Sequence, residues 1–166
     1  MLYAVLEEVA SKLNGLTSNG LKAASASVSF PTPGQAPPFS PQLFVWEQED
    51  NESRQTMPRM KGGGVTSGGF KKAKHAVGIY VLLILSDAGA TNCKLFFQHL
   101  DAIQATLRAV DLPVAITDPD TGVSSSLVLL GEEFKVVPAI PQTVKNQKIV
   151  AFKARITTEA VEIIQS

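Results

Sequence analysis

Cysteine and histidine are scarce in this chain, and that scarcity removes much catalytic and metal-binding chemistry at the outset. Cys93 is the only cysteine, so no internal disulfide can form, which fits a reducing compartment. His75 and His99 are the only histidines; His99 has Leu95 and Ile103 at helical spacing on either side, and neither histidine has neighbours suited to zinc. Net charge is absent too. Fifteen basic residues balance fifteen acidic ones, leaving no global field to draw nucleic acid or an anionic membrane. No apolar run reaches the roughly 18–20 residues of a membrane helix. Met1–Leu13 contains Glu7 and Glu8 and lacks a basic start and an unbroken apolar stretch, so it is not expected to act as a signal peptide.

What the sequence does have is a long strand. In Lys72–Ser86, Val77, Ile79, Val81, Leu83 and Leu85 share one face, while Gly78, Tyr80, Leu82 and Ile84 share the other. A strand apolar on both faces needs cover on both sides. A chain of 166 residues with few helices has difficulty supplying both layers, so the pattern predicts a sheet completed by another copy or another protein.

Around this strand the spacing predicts a helix over residues 2–14, with Leu2, Val5, Leu6, Val9 and Leu13 on one side and Asn14-Gly15 as its stop. A short strand near Val28 and Phe30, a Pro-rich connection from Pro31 to Pro41 and a strand from Leu43 to Glu47 follow. Glu49 to Phe70, rich in charge, Gly and Ser, reads as a flexible loop. Thr91 or Asn92 is the expected cap of a helix running to about Val110, with Cys93, Phe96, Phe97, Leu100, Ile103, Leu107 and Val110 on its apolar stripe. Beyond it lie an edge strand at Pro113–Thr117, a turn at Asp118–Gly122, and strands over Leu127–Val137 and Gln147–Thr158. In the first of these, Val128, Leu130, Phe134 and Val136 are expected on one face. Glu159–Ile164 reads as an apolar tail that docks. The whole predicts one α+β domain over residues 1–166: two layers, a mostly antiparallel sheet with two main helices packed on one face, and a long extended loop between strands.

The motifs that resemble catalytic or binding signatures lack the residues such chemistry needs. Lys61-Gly-Gly-Gly-Val-Thr-Ser-Gly-Gly69 is followed by Phe70 and Lys71 and then a strand, whereas a phosphate loop needs Lys-Ser/Thr leading into a helix. Asp118-x-Asp120-x-Gly122 resembles the start of a calcium loop, but Val123 stands where Gly is needed and Leu129 where the bidentate Glu belongs. No Gly-x-Ser-x-Gly elbow accompanies the histidines. Cys93 sits on a helix stripe as a small hydrophobe. Glu132 and Glu133, adjacent in a strand, point to opposite sides and form no catalytic dyad. No cofactor, metal or catalytic residue is therefore expected. Charge is nonetheless unevenly spread. Residues 51–75 carry Arg54, Arg59, Lys61, Lys71, Lys72 and Lys74 against Glu52 alone, and the first fifty residues are net acidic through Glu7, Glu8, Glu47, Glu49 and Asp50. The basic run has three readings: a solvated loop, a dock for an acidic partner surface, or a track for a nucleic-acid backbone, the last weakened by Phe70 being its one aromatic.

The chain resembles the tail terminator, or tail completion, proteins of long-tailed bacteriophages. The resemblance rests on His75-Ala-Val-Gly-Ile-Tyr-Val-Leu, the helix from Thr91, Ile116-Thr-Asp-Pro-Asp-Thr-Gly-Val-Ser-Ser-Ser-Leu-Val, Leu130-Gly-Glu-Glu-Phe and the strand Ile149–Ile156. It implies a virion protein of the tail and neck, assembled in the host cytoplasm, whose copies form a ring, typically a hexamer. That ring would sit on the last ring of tail-tube protein, end tube growth, face the head–tail connector and let DNA pass, without enzymatic activity, cofactor or membrane. On this reading the basic loop residues contact a partner chain, and Val77, Ile79, Tyr80, Val81 and Leu82 serve sheet packing or subunit contacts. The alternatives are another neck, connector or tail-tube subunit, and a small α+β enzyme or ligand-binding domain using the Gly-rich segment.

Overall fold

The computed structural model describes residues 2–31, 36–49, 55–61, 64–109, 114–117, 124–144 and 148–165. In chain order its elements are α1 (Leu2–Leu13), β1 (Ser25–Val28), β2 (Gln42–Glu49), β3 (Gln55–Lys61), β4 (Gly64–Leu85), α2 (Ala90–Arg108), β5 (Val114–Thr117), β6 (Ser124–Pro138), β7 (Gln142–Thr143) and β8 (Val150–Gln165). The sheet runs β1-β2-β4-β8-β6-β5, with β3 beside β4 and β7 beside β8 off that path. Only β1 against β2 is parallel among the described pairings. This is the expected α+β architecture, with both helices on one side of the sheet.

Residue alternation decides which side. Val77, Ile79, Val81 and Leu83 on β4 are fully buried, and Leu85 nearly so. They share one core with Leu43 and Val45 of β2, with Phe152, Ala154 and Ile156 of β8, and with both helices. α1 contributes Val5, Leu6, Val9 and Leu13; α2 contributes Phe96, Leu100, Ile103 and Leu107. Each such side chain removed from water is worth about 1.5–3 kcal/mol. Two ring contacts fix α2 on the sheet: Phe96 lies 5.3 Å from the Phe152 ring, and the Arg108 guanidinium sits 5.2 Å over Phe134.

The helix ends follow local chemistry. α1 stops where expected, because Gly15 adopts φ +79°, a left-handed conformation that glycine takes without a Cβ penalty. The start of α2 differs from expectation. Gly89, not Thr91 or Asn92, is the N-cap residue, and it makes no side-chain cap bond. Asp87 instead organises the entry, accepting the Gly89 N–H at Oδ1 (2.7 Å). Asn92 is drawn inward, donating from Nδ2 to Ser86 Oγ (3.2 Å) and to the Asp87 carbonyl (3.1 Å). Phe97, assigned to the apolar stripe from sequence, is 52% exposed, and His99 takes a buried place on that face.

Three further expectations are corrected. Much of Glu49–Phe70, read as a loop, is strand: Gln55–Lys61 pairs with Gly64–Lys72 as an antiparallel ladder, so backbone hydrogen bonds order a segment of loop-like composition. Residues 50–54 and 62–63, including Arg54 and the first two glycines of the Gly-rich run, lie outside the described residues, as do Asp118, Asp120 and Gly122. The tail does not dock as a separate piece. It continues β8 to Gln165, paired with β4 on one side and β6 on the other. Finally, Val128 and Leu130 do not share a face with Phe134 and Val136. Leu130 opposes Glu159, but Lys135 opposes Thr157 and Val136 opposes Ile156. Five steps on β6 span two on β8, and the odd difference turns the later residues over, bringing Phe134 and Val136 to the core.

β4 thus has two parts. Its later half carries the buried row and is flanked by β2 and β8; its earlier half, an extension of about 35 Å of strand at 3.3 Å per residue, runs beside β3 from Gly64 to Lys72 and beside β8 from Phe70 onward. This extension is here termed the arm. Truncating Ile79→Ala at the centre of the buried row should lower unfolding free energy by about 2–5 kcal/mol, read by chemical denaturation.

Candidate functional site

The face of the sheet turned away from the helices carries the least expected chemistry. On β2, Phe44 and Trp46 alternate with the buried Leu43 and Val45, and so face this side. Phe44 opposes Tyr80 in the ladder, and Tyr80 opposes Arg155 of β8. The Tyr80 ring lies 6.4 Å from Phe44 and 6.2 Å from Trp46, tilted to both. All three rings are half-buried, and burial raises the Tyr80 phenol pKa above its usual value. Arg155, Lys135 and Val137 are exposed on neighbouring strands, with Val137 51% exposed although apolar.

Among the described residues, cover on this side is confined to one end. Ile84 packs with Ala36 and Ala151 in a small second cluster, joined by Leu82, Val144 and Ile149. No helix lies over Phe44, Trp46 and Tyr80 among the described residues, because α1 and α2 both belong to the opposite core.

Trp46 also belongs to a second feature. β1 pairs with β2 only as far as Val28 opposite Val45. Among the described pairings, no strand lies beside Trp46–Glu49 on the side away from β4. A cleft of about 450 Å³ opens at this point, lined by Tyr3, Leu6, Val28, Phe30, Val45 and Trp46. Its rim is unusually apolar, with Tyr3 60% exposed and Phe30 73% exposed. Glu7, one helical turn from Tyr3, is exposed, and Glu47 and Glu49 follow Trp46 on β2.

The residues singled out from sequence divide between the two sides. Val77, Ile79 and Val81 are wholly enclosed within the protomer, so they pack the sheet and have no surface to offer a subunit. Tyr80 is on the open face, and Leu82 is there too but partly covered by the second cluster. Arg59 and Lys61 fall on β3, and Lys71 and Lys72 on the arm portion of β4. Lys74 pairs with Glu159 at 3.2 Å, an exposed contact worth little in stability. Phe44, Tyr3 and Phe30 went unrecognised in the sequence as surface residues. The alternation around Leu43 and Val45 was the available signal for Phe44; nothing local announced that Phe30 and Tyr3 would meet.

The buried histidine is the one other polar feature of note. His99 has no exposed surface, its Nδ1 lies 2.8 Å from Ser18 Oγ, and its Nε2 meets no hydrogen-bond partner among the described residues. Burial holds its pKa down at about 4. The pair ties the connection after α1 to the middle of α2, where Gly20 (φ +79°) also packs close to Leu95. A neutral imidazole enclosed in this way orients a serine but has no opening through which to meet a substrate. Cys93 is half-buried, with Sγ 3.4 Å from the Ala88 carbonyl. Among the described residues, no three His, Cys, Asp or Glu side chains gather as a metal site would require, and no helix is long and apolar enough to cross a membrane.

The depressed histidine pKa makes stability depend on pH. The unfolded chain takes up this proton near 6.5 and the folded chain only near 4, so below 6.5 the unfolded state binds more protons. Stability is full above pH 6.5 and falls as pH drops toward 4, by about 3 kcal/mol from this group at 1.36 kcal/mol per unit. Denaturant melts of wild type and His99→Leu between pH 7.5 and 4.5 should show the variant with a shallower slope over that window.

No protein-family model matches this chain, and no curated protein is significantly similar to it.

Proposed function

We propose that the protein is a structural ring subunit of the neck of a long-tailed bacteriophage, placed at the head-proximal end of the tail tube, where it ends tube growth and meets the head–tail connector. The reading joins two supports. One is the resemblance carried by His75–Leu82, Ile116–Val128, Leu130–Phe134 and Ile149–Ile156. The other is physical, and it carries the argument: the open sheet face at Phe44, Trp46 and Tyr80 has no second layer among the described residues.

Aromatic residues beside an arginine are the side chains most often found at the centre of protein interfaces, where they exclude water from a packed patch. Copies related by rotation would cover this face on each member in turn, and a rotation that closes gives a ring. The balanced net charge suits a conduit, since a strongly cationic bore would hold DNA by its phosphates and oppose its passage. A tail-tube subunit would share these properties but would stack into long tubes.

Light scattering with electron microscopy of the purified protein separates these outcomes. The expected result is a single closed ring with a mass several times 17.7 kDa, and its loss to monomer in Tyr80→Glu. Long tubes would instead favour a tube subunit. A wild type that stays monomeric at all concentrations would overturn the ring.

A further inference from the structure

We infer that Ser18–Leu21, the tip of the connection after α1, is an acid-released latch on α2, held shut by the neutral His99 imidazole and freed when that ring becomes protonated at both nitrogens. The inference stands apart from the ring reading, since it concerns contacts within one protomer.

The connection is a loop with a fixed base. Gly15 N–H donates to the Ala24 carbonyl and Ala24 N–H to the Leu16 carbonyl, both at 2.8 Å. Lys22 N–H donates to the Phe39 carbonyl at 2.8 Å, and Ala24 is buried in the main core. Between these anchors Thr17, Asn19 and Gly20 are exposed, so the tip is a surface turn. Its own hydrogen bond runs from Leu21 N–H to the Ser18 carbonyl (3.1 Å). Two contacts seat it on α2. Ser18 Oγ lies 2.8 Å from His99 Nδ1, and a Cβ on Gly20 would lie only 3.0 Å from Leu95 Cδ2. Leu21 adds partial burial against the core.

The closed form suits a neutral ring and no other. His99 has no exposed surface, and among the described residues Ser18 is its one hydrogen-bond partner and Nε2 has none. The imidazolium carries an N–H at both nitrogens, so its Nε2–H would be buried with charge and without an acceptor. No carboxylate among the described residues bonds to the ring to offset this. On α1, Glu8 pairs with Lys12 at 3.3 Å, and Tyr3 and Glu7 are exposed. On the connection Lys22 is exposed. On α2, Lys94, Asp101 and Arg108 are exposed, and Cys93 Sγ lies against the Ala88 carbonyl. The sheet residues sharing this core with α2, Phe134, Val136, Phe152, Ala154 and Ile156, are apolar. Burial is accordingly what holds the ring pKa down at about 4. Acid therefore favours whatever brings the ring to water. The smallest such change lifts Ser18–Leu21 off α2, which breaks one side-chain hydrogen bond and leaves the loop base and the buried row of β4 in place.

Native-state amide hydrogen exchange by NMR, corrected for the intrinsic exchange rate at each pH, tests this. The Leu21 amide reports the tip, and the Val81 amide in the β4 row reports global unfolding. At pH 7.5 Leu21 should exchange at least about tenfold faster than Val81, at a rate that low urea leaves unchanged, as a local opening requires. With the ring pKa at about 4 closed and at the ordinary 6.5 open, the Leu21 opening constant should rise about 70-fold between pH 7.5 and 4.5. His99→Leu should hold that constant nearly flat over the same range, while Ser18→Ala should open more readily at pH 7.5 and keep the acid response. A Leu21 amide that matches Val81 at every pH opens only with the whole molecule and overturns the latch. So does one already unprotected at pH 7.5, one whose opening constant acid leaves unmoved in wild type, or an acid response that persists in His99→Leu. Should His99→Leu fail to fold, the imidazole resonances of wild type report instead. Titration near 4 is expected, and titration near 6.5 with Leu21 still protected overturns the latch.

Discussion

Two helices can clothe one side of a sheet, and everything else in this molecule follows from which side they take. β4 offers apolar residues to both. The row from Val77 to Leu85 is enclosed by α1, α2 and the flanking strands, and it binds the N-terminal and C-terminal parts of the chain into one core. The alternate row receives only partial cover, from the Ala36 segment and the residues around Val144 and Ile149 at one end. What is left at the other end is a patch of rings beside an arginine. A fold with a helical layer on each face would have no such patch.

The sequence made the enclosed row legible because strict alternation over a long strand has few structural alternatives. Both helices and the turn at Gly15 were equally readable, since a 3.6-residue period and an Asn-Gly stop are local signals. The arm was not readable. Gln55–Lys61 has neither alternation nor β-branched content beyond Thr56, and its strand character comes from pairing with β4, a tertiary cause that propensity does not report. The reversal of faces within β6 was hidden for a related reason. Gly131 hinted at an irregularity, but the number of extra residues, and hence the parity, is set by the partner strand.

The candidate surface shows the same division. Tyr80 could be placed on the second face from its position in the strand, while Phe44 and Trp46 needed the register that brings them beside it. The cleft depended on where β1 ends along β2, a matter of one or two residues at an element boundary, and on a helix turn carrying Tyr3 across from Phe30. Val77, Ile79 and Val81 illustrate the converse. Their hydrophobicity was plain, but hydrophobicity alone does not say whether the covering layer is the chain's own or a neighbour's.

β4 and β8 run without interruption from the helix-covered body into the arm, paired to each other from Leu85–Val150 to Phe70–Gln165. A slip of one residue between these two strands would therefore have to break the whole ladder at once, and would turn every side chain of the moving strand to the opposite face.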